Sequence, residues 1–379
     1  MPDTLADLRS AFPVAEFWIY FNHAAVSPLP SPVVDAVAEF THDAATQGST
    51  GWAGWLARRE RARERSAALL GARPSEIALT TSTSQGLLTV AEGLRLDPGD
   101  QIVIVEDDFP ANQIPWLRQR RRGAEVVVVP RTDGRVTVDA VMAAVTDRTR
   151  LVAVPWVLYD SGFRLDVVGL GTALADHPAA YCVDAIQGLG AFPLDVEAAH
   201  IDFLSADSHK WMLGIEGIGV FYCRADRLES LDSPFTSWWS LAQPFAPFHE
   251  DNPLHADARR FEFATMPTIG VYALDAALDL LLRGDAGERA ERVLQLTGRL
   301  AEGLAERGWT LHTPMDSPEE RSGIVSASHP SRGSDEVIAH LTERKISAAP
   351  RGAGVRFSPH AWNVMDEVER VLAELDSWS

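Results

Sequence analysis

Cysteine is scarce in this sequence: only Cys182 and Cys223 occur in 379 residues. Two thiols in so long a chain do not make a disulfide framework, which excludes a disulfide-stapled scaffold. Each reads as a small buried hydrophobe in a strand. Long apolar runs are missing too. None approaches the ~18 residues a membrane helix needs, so no membrane partner is expected. The N-terminus, MPDTLADLRSAFPVAEFW, lacks a basic region followed by an apolar one. No secretory signal is visible, and the chain reads as cytoplasmic. Basic residues are in deficit, with 34 Lys plus Arg against 53 Asp plus Glu and a net charge of −19. A body this acidic repels a phosphate backbone, which excludes nucleic acid as a general partner. It does not bar a small anion, which needs only a local pocket of amides and a few cations. Internal repeats and low-complexity tracts are absent as well.

What is present is ordinary for a globular protein, at 46% hydrophobic and 23% charged residues. At ~100–200 residues per domain, the length implies two or three domains. The middle of the chain alternates apolar runs with amphipathic ones. Strands are predicted at 101–106, 124–130, 150–156, 181–185, 202–208 and 217–223, and helices at 115–123, 136–145 and 167–177. Strands that are apolar throughout, separated by helices, predict an α/β architecture around a parallel sheet buried on both faces. The segment from Ser233 to Pro253, rich in proline and aromatics, reads as a loop or crossover. A charged amphipathic stretch from Glu288 to Arg307 belongs to a second, smaller α/β unit. The expected division is an N-terminal segment (1–30), a large domain (31–255) and a small C-terminal domain (256–379).

The segment DAIQGLGAFPLDVEAAHIDFLSADSHKWMLGIEGIGVFYC, Asp184 to Cys223, carries the chemistry. Asp184 ends one predicted strand, and Lys210 lies just beyond another. A lone lysine is usually a surface residue. An acid and a lysine beyond the ends of two strands, however, can face one crevice of an open sheet. The pair suits pyridoxal phosphate: the amine forms a Schiff base with the aldehyde, and the aspartate keeps the pyridine nitrogen protonated. A dinucleotide fingerprint is not matched, because Gly214, Gly217 and Gly219 have other spacing and precede a strand.

DAIQGLG followed by SHKWMLGIEGIGVFYC resembles the signature of the class V aminotransferase family. The resemblance runs from FNHAAVSPLP (Phe21 to Pro30) to VRFSPHAWNVMDEVE (Val355 to Glu369). Its closest flavour is the subgroup resembling isopenicillin N epimerase, selenocysteine lyase and cysteine desulfurase. It implies fold type I, a mostly parallel seven-stranded sheet between helices with a smaller C-terminal α/β domain, and pyridoxal phosphate as cofactor. It also implies roles. Lys210 matches the Schiff-base lysine, Asp184 the partner of the pyridine nitrogen, and Gln187 the partner of the phenolic oxygen. Thr83, Ser84 and His209 match positions near the phosphate, and Asp207 stands where desulfurases often have a phosphate-binding serine. Phe109 matches the ring-stacking residue, with Asn112 nearby, and Tyr159 falls beside the ring. Arg356 matches the arginine that grips the substrate carboxylate as a bidentate fork, with Arg351 and Asn22 as further substrate contacts. Thr265, in RRFEFATMPTIG, matches a threonine that reaches a partner subunit's phosphate in a homodimer, although Ala264 replaces the usual glycine.

No cysteine occurs in KISAAPRGAG, Lys345 to Gly354, where persulfide-forming desulfurases carry one. A protein-thiol relay is therefore not expected. The implied chemistry is proton removal from the Cα of an amino acid, with Lys210 as base. Transamination and β-elimination of the C–S lyase type lead the outcomes. Epimerisation, desulfuration without a persulfide and a catalytically silent homologue stay open.

Overall fold

The computed structural model describes residues 5–246, 251–352 and 354–376. Residues 1–4 and 377–379 of the expected terminal domains, 247–250 of the expected crossover and residue 353 lie outside the described residues. The chain opens with α1 (Leu5–Ser10), β1 (Ile19–Tyr20), α2 (Ser31–Gln47) and α3 (Trp52–Leu70). Next come β2 (Ile77–Thr80), α4 (Thr83–Gly93), β3 (Gln101–Val105), α5 (Ile114–Arg118), β4 (Glu125–Val129), α6 (Val138–Ala144), β5 (Thr149–Pro155), α7 (Val167–Leu174), β6 (Ala180–Asp184), β7 (Phe203–Asp207) and β8 (Gly219–Cys223). The last part holds α8 (Thr268–Arg283), α9 (Ala286–Glu306), β9 (Thr310–Leu311), β10 (Val325–Ser328), α10 (Ser334–Glu343), β11 (Ile346–Ser347), β12 (Ala349–Arg351), β13 (Gly354–Phe357) and α11 (Met365–Asp376).

The large sheet has seven strands in the order β2-β8-β7-β6-β5-β3-β4. Its apolar runs have a simple cause. Ile102, Ile104, Leu151, Ala153 and Cys182 pack under one face, while Val103, Val105, Val152, Val154 and Val183 pack under the other. A sheet covered on both sides has no polar face to write into the sequence. β3 to β7 run parallel, as the sequence predicts. β8 does not: it is antiparallel to both β7 and β2, so the sheet is mixed. The β7–β8 link, residues 208–218, contains no helix. A parallel return needs a crossover of about a dozen residues or more, usually helical, whereas a short link reverses the chain. β2, absent from the sequence expectation, is four residues long and wholly buried, too short to show a period.

A second, antiparallel sheet has the order β12-β13-β10-β9. It shares its core with α9, α10 and α11. β1 pairs in parallel with β11, and Asn22 bridges to Ser358, so the N-terminal segment is tied to this smaller unit. α8 packs against α2 and α3, so the boundary expected at 255/256 does not follow the packing there. No helix among the described residues is long and apolar enough to cross a membrane.

Candidate active site

Lys210 follows β7, Asp184 ends β6, Tyr159 follows β5 and Phe109 follows β3. These four strands are parallel neighbours in the large sheet. Their carboxyl ends therefore open onto one crevice, the usual ligand position of such sheets.

The loop that carries Lys210 is tightly wound. Gly214 N donates to Ser208 O at 2.9 Å and Leu213 N to Lys210 O at 3.2 Å. The glycines noted in the sequence serve this winding. A Cβ on Gly214 would strike the Ser208 hydroxyl, and Gly217 sits at φ 87°, where a side chain is strained. Trp211 anchors the loop: its indole donates to Gln187 Oε1 at 3.0 Å and its ring stacks on His360. The Lys210 Nζ lies 5.7 Å from the centre of the Phe109 ring, which meets Tyr159 edge-on at 5.3 Å. Burial lowers the Lys210 ammonium to about 8, with Asp184 opposing and Arg356 assisting.

Two carboxyls lie in this crevice. Asp184 is buried and accepts from Ile186 N at 3.1 Å. Burial raises it to about 6, against that amide and the Lys210 charge. Asp108 accepts from Phe109 N at 2.7 Å and from Asn112 Nδ2 at 2.8 Å. Burial, then the Asp184 charge, raise it to about 8. Asp108 was not singled out from the sequence, although a carboxylate just past a strand end in the ligand crevice is a readable signal. Asn112, expected near a cofactor, has its amide occupied by Asp108, and its oxygen accepts from Trp116 Nε1 at 3.0 Å.

The remaining expected residues are placed as follows. The Thr83 hydroxyl, at the first residue of α4, accepts from Asp207 N at 2.8 Å. Ser84 is half-buried in the same turn. His209 Nδ1 lies 2.9 Å from Asp207 Oδ1, so the Asp207 carboxylate is turned to the imidazole. Gln187 Nε2 donates to Ala24 O at 3.1 Å, which leaves its second hydrogen unassigned. Thr265 is exposed on the segment leading into α8.

Arg356 comes from the other sheet, on β13. It is 1% exposed, and its Nη1 donates to Tyr159 O at 2.8 Å. Its buried Nε and Nη2 have no hydrogen-bond partner, nor do Arg351 Nε and Asn22 Oδ1. Burial lowers the Arg356 guanidinium to about 9, and the Arg351 charge adds to the effect. The crevice thus joins a lysine with a depressed proton affinity, two buried acids and an arginine fork lacking an acid. Among the described residues no His/Cys/Asp/Glu group could hold a metal ion.

The model of the family described as Aminotransferase class-V matches residues 19–369. An uncharacterized aminotransferase, YcbU, of Bacillus subtilis (strain 168) is 29% identical over 97% of this chain and 96% of that protein. Isopenicillin N epimerase of Streptomyces clavuligerus is 29% identical over 83% of each chain. Among solved structures, the apo cysteine desulfurase of Thermococcus onnurineus NA1 superposes with a TM-score of 0.89 at 27% identity, covering 98% of this chain and 97% of that one.

Proposed function

The chain belongs to the class V aminotransferase family, and from that premise we propose that it is a pyridoxal-phosphate-dependent enzyme acting at the Cα of an amino acid whose carboxylate docks on Arg356. The observation that carries this reading is that the buried Lys210 amine and the Arg356 guanidinium, which has no acid partner, meet in one crevice, close enough for the Arg356 charge to act on Lys210.

The residues present fit that cofactor. Lys210 would hold it covalently. Asp184, mostly ionised at neutral pH with a value of about 6, would pair with its pyridine nitrogen. Phe109 would face the ring, and Gln187 has one Nε2 hydrogen for the phenolic oxygen. The first turn of α4, with Thr83 and Ser84, would take the phosphate at a helix N-terminus. When bound, the group supplies an electron sink for the pair left at Cα.

The chain's own residues do the rest. Arg356 holds the carboxylate through its two orphaned nitrogens, which fixes the Cα–H direction. Lys210, with a proton affinity near working pH, takes that proton and returns it. Tyr159, Phe109 and the Trp211 loop limit water around the amine. Sulfur relay through a protein thiol is not part of this reading. Cys182 and Cys223 are buried in β6 and β8, and burial pushes both thiols up. Transamination or β-elimination is the outcome proposed, in a cytoplasmic homodimer in which Thr265 reaches the partner's phosphate.

The test is Lys210→Ala. It should abolish the visible absorption of the bound aldehyde, and an unchanged band would sink the assignment. Incubating the holoenzyme with single amino acids separates the branches. Conversion of the cofactor to its amine form marks transamination, a keto acid with a released side-chain fragment marks elimination, and the D-isomer marks epimerisation.

A further inference from the structure

A single carboxylate accounts for the orphaned nitrogens of Arg356 but leaves Arg351 unexplained. Across the β12–β13 pair, Arg356 stands opposite Ala349 and Arg351 opposite Gly354. Directly opposed residues share a face, and alternate residues along a strand do too, so both arginines rise from the same face of the hairpin. As diagonal neighbours their Cα atoms are about 7–8 Å apart. Arg351 donates only to the carbonyl of its neighbour Pro350, at 3.3 Å, and its buried Nε has no partner. The Arg351 charge depresses Arg356, so the two cations repel.

The acids nearby relieve this only in part: Asp160 acts on Arg356 against the Arg351 charge but forms no ion pair with Arg356. Asp160 is committed to Arg131 at 2.9 Å, and Asp133 is exposed. Beside Arg351 lies a cavity of about 530 Å³, lined also by Ser326, His312, Arg131 and Asp160. Ser326 stands opposite Arg356 across β10–β13. Ser326 therefore puts the cavity on the face from which both arginines rise, with Arg351 lining it and Arg356 outside its lining. Two like charges held side by side without an acid are costly unless anions arrive.

We propose that the substrate carries a second anionic group on its side chain, and that Arg351 binds it while Arg356 binds the α-carboxylate. The substrate class is an acidic amino acid, with a side-chain carboxylate or a comparable oxyanion. This rests on the function proposed above, and it makes Arg351 the residue that sets specificity.

The test uses unreactive ligands and a binding readout. Calorimetric titration of the holoenzyme compares glutarate, a dicarboxylate, with butyrate, its monocarboxylate counterpart. Glutarate should bind about tenfold tighter or better, the scale of one extra charge-assisted contact. Arg351→Gln should bring glutarate to within about twofold of butyrate, with most of the change falling on glutarate, and Arg351→Lys should keep part of the difference. Arg356→Gln should weaken both ligands. Equal binding of the two by the unmodified enzyme, or a glutarate preference that survives Arg351→Gln, overturns the proposal. The wider function is judged separately, by whether aspartate, glutamate, asparagine or glutamine perturbs the cofactor's visible band. If none of these four does while another amino acid perturbs it, only the specificity proposal falls; if no amino acid of a full panel does, the wider reading fails whatever the dicarboxylates do. If the neutral pair perturbs it as strongly as the acidic pair, only the specificity proposal falls.

Discussion

Arginines meet two different fates in this molecule. On α3, Arg59 and Arg63 converge on Glu262, which is buried and also accepts from Leu79 N at 2.7 Å. Arg58, Arg61 and Arg65 converge on Asp275 of α8. Burial alone would raise Glu262, yet the Arg63 and Arg59 charges bring it down to about 2. In the crevice, Arg356 is as deeply buried as any of these and Arg351 stands beside it, and neither has an acid. Scarcity of acids does not explain the difference, because they outnumber bases by 19. The α3–α8 charges are balanced within the chain, so they hold the fold. The crevice charges have no such balance within the chain, which is what the proposed binding of substrate anions would supply.

That contrast can be broken by experiment. A large effect should come from Glu262→Ala, which strands the Arg59 guanidinium and leaves the buried Arg63 only Glu60 and the Ile77 carbonyl. Stability measured by denaturant unfolding should fall by about 3–5 kcal/mol. A loss under ~1 kcal/mol would mean that this network is not what joins α3 to β2. Arg356→Gln should behave in the opposite way. Carboxylate affinity should fall by about 2–5 kcal/mol, while stability changes by about 1 kcal/mol or less, since only the bond to the Tyr159 carbonyl is lost. A variant that unfolds instead would place Arg356 with the structural arginines.

A further effect, one of pH dependence, concerns Asp108, a crevice acid with no cation. Its folded value of about 8 lies above the ordinary 3.8. The folded state therefore holds a proton that the unfolded state releases between those values. This contribution to stability is fully present below the lower value and is lost as pH rises through the upper one. Melting curves of Asp108→Asn and of the unmodified protein should diverge in favour of the variant as pH rises toward 8. Parallel curves would remove Asp108 from the set of buried neutral acids.

Much of this was legible in the sequence, and the rest has physical reasons for being hidden. β3 and β5 to β7 were readable because a doubly covered strand leaves an unbroken apolar run, and the edge strand β4 because its four valines make one despite its half-exposed face. Lys210 and Asp184 were readable because each sits just past such a run. Lysine itself is a sharper signal than it first looks, since Lys210 and Lys345 are the only two in the chain. The direction of β8 was hidden, because apolar content does not encode orientation and only the short link does. Asp108 was passed over for its neighbours Phe109 and Asn112, although it too follows a strand; what the sequence could not show is that Asn112 is bonded to it. The α3 ion pairs were hidden, because the partners of these arginines lie about 200 residues further on.

The β12–β13 hairpin works as a pair of callipers. Strand pairing, not side-chain reach, sets how far apart its two guanidinium groups start, and only residues 352 and 353 separate the strands. One residue added in that turn would shift β12 by about 3.4 Å against β13 and turn Arg351 to the opposite face. Arg356, held by β10 on its other side, would stay. On the binding proposed above, the length of substrate that fits could thus be reset by a single insertion between the two strands, without touching Lys210 or Asp184.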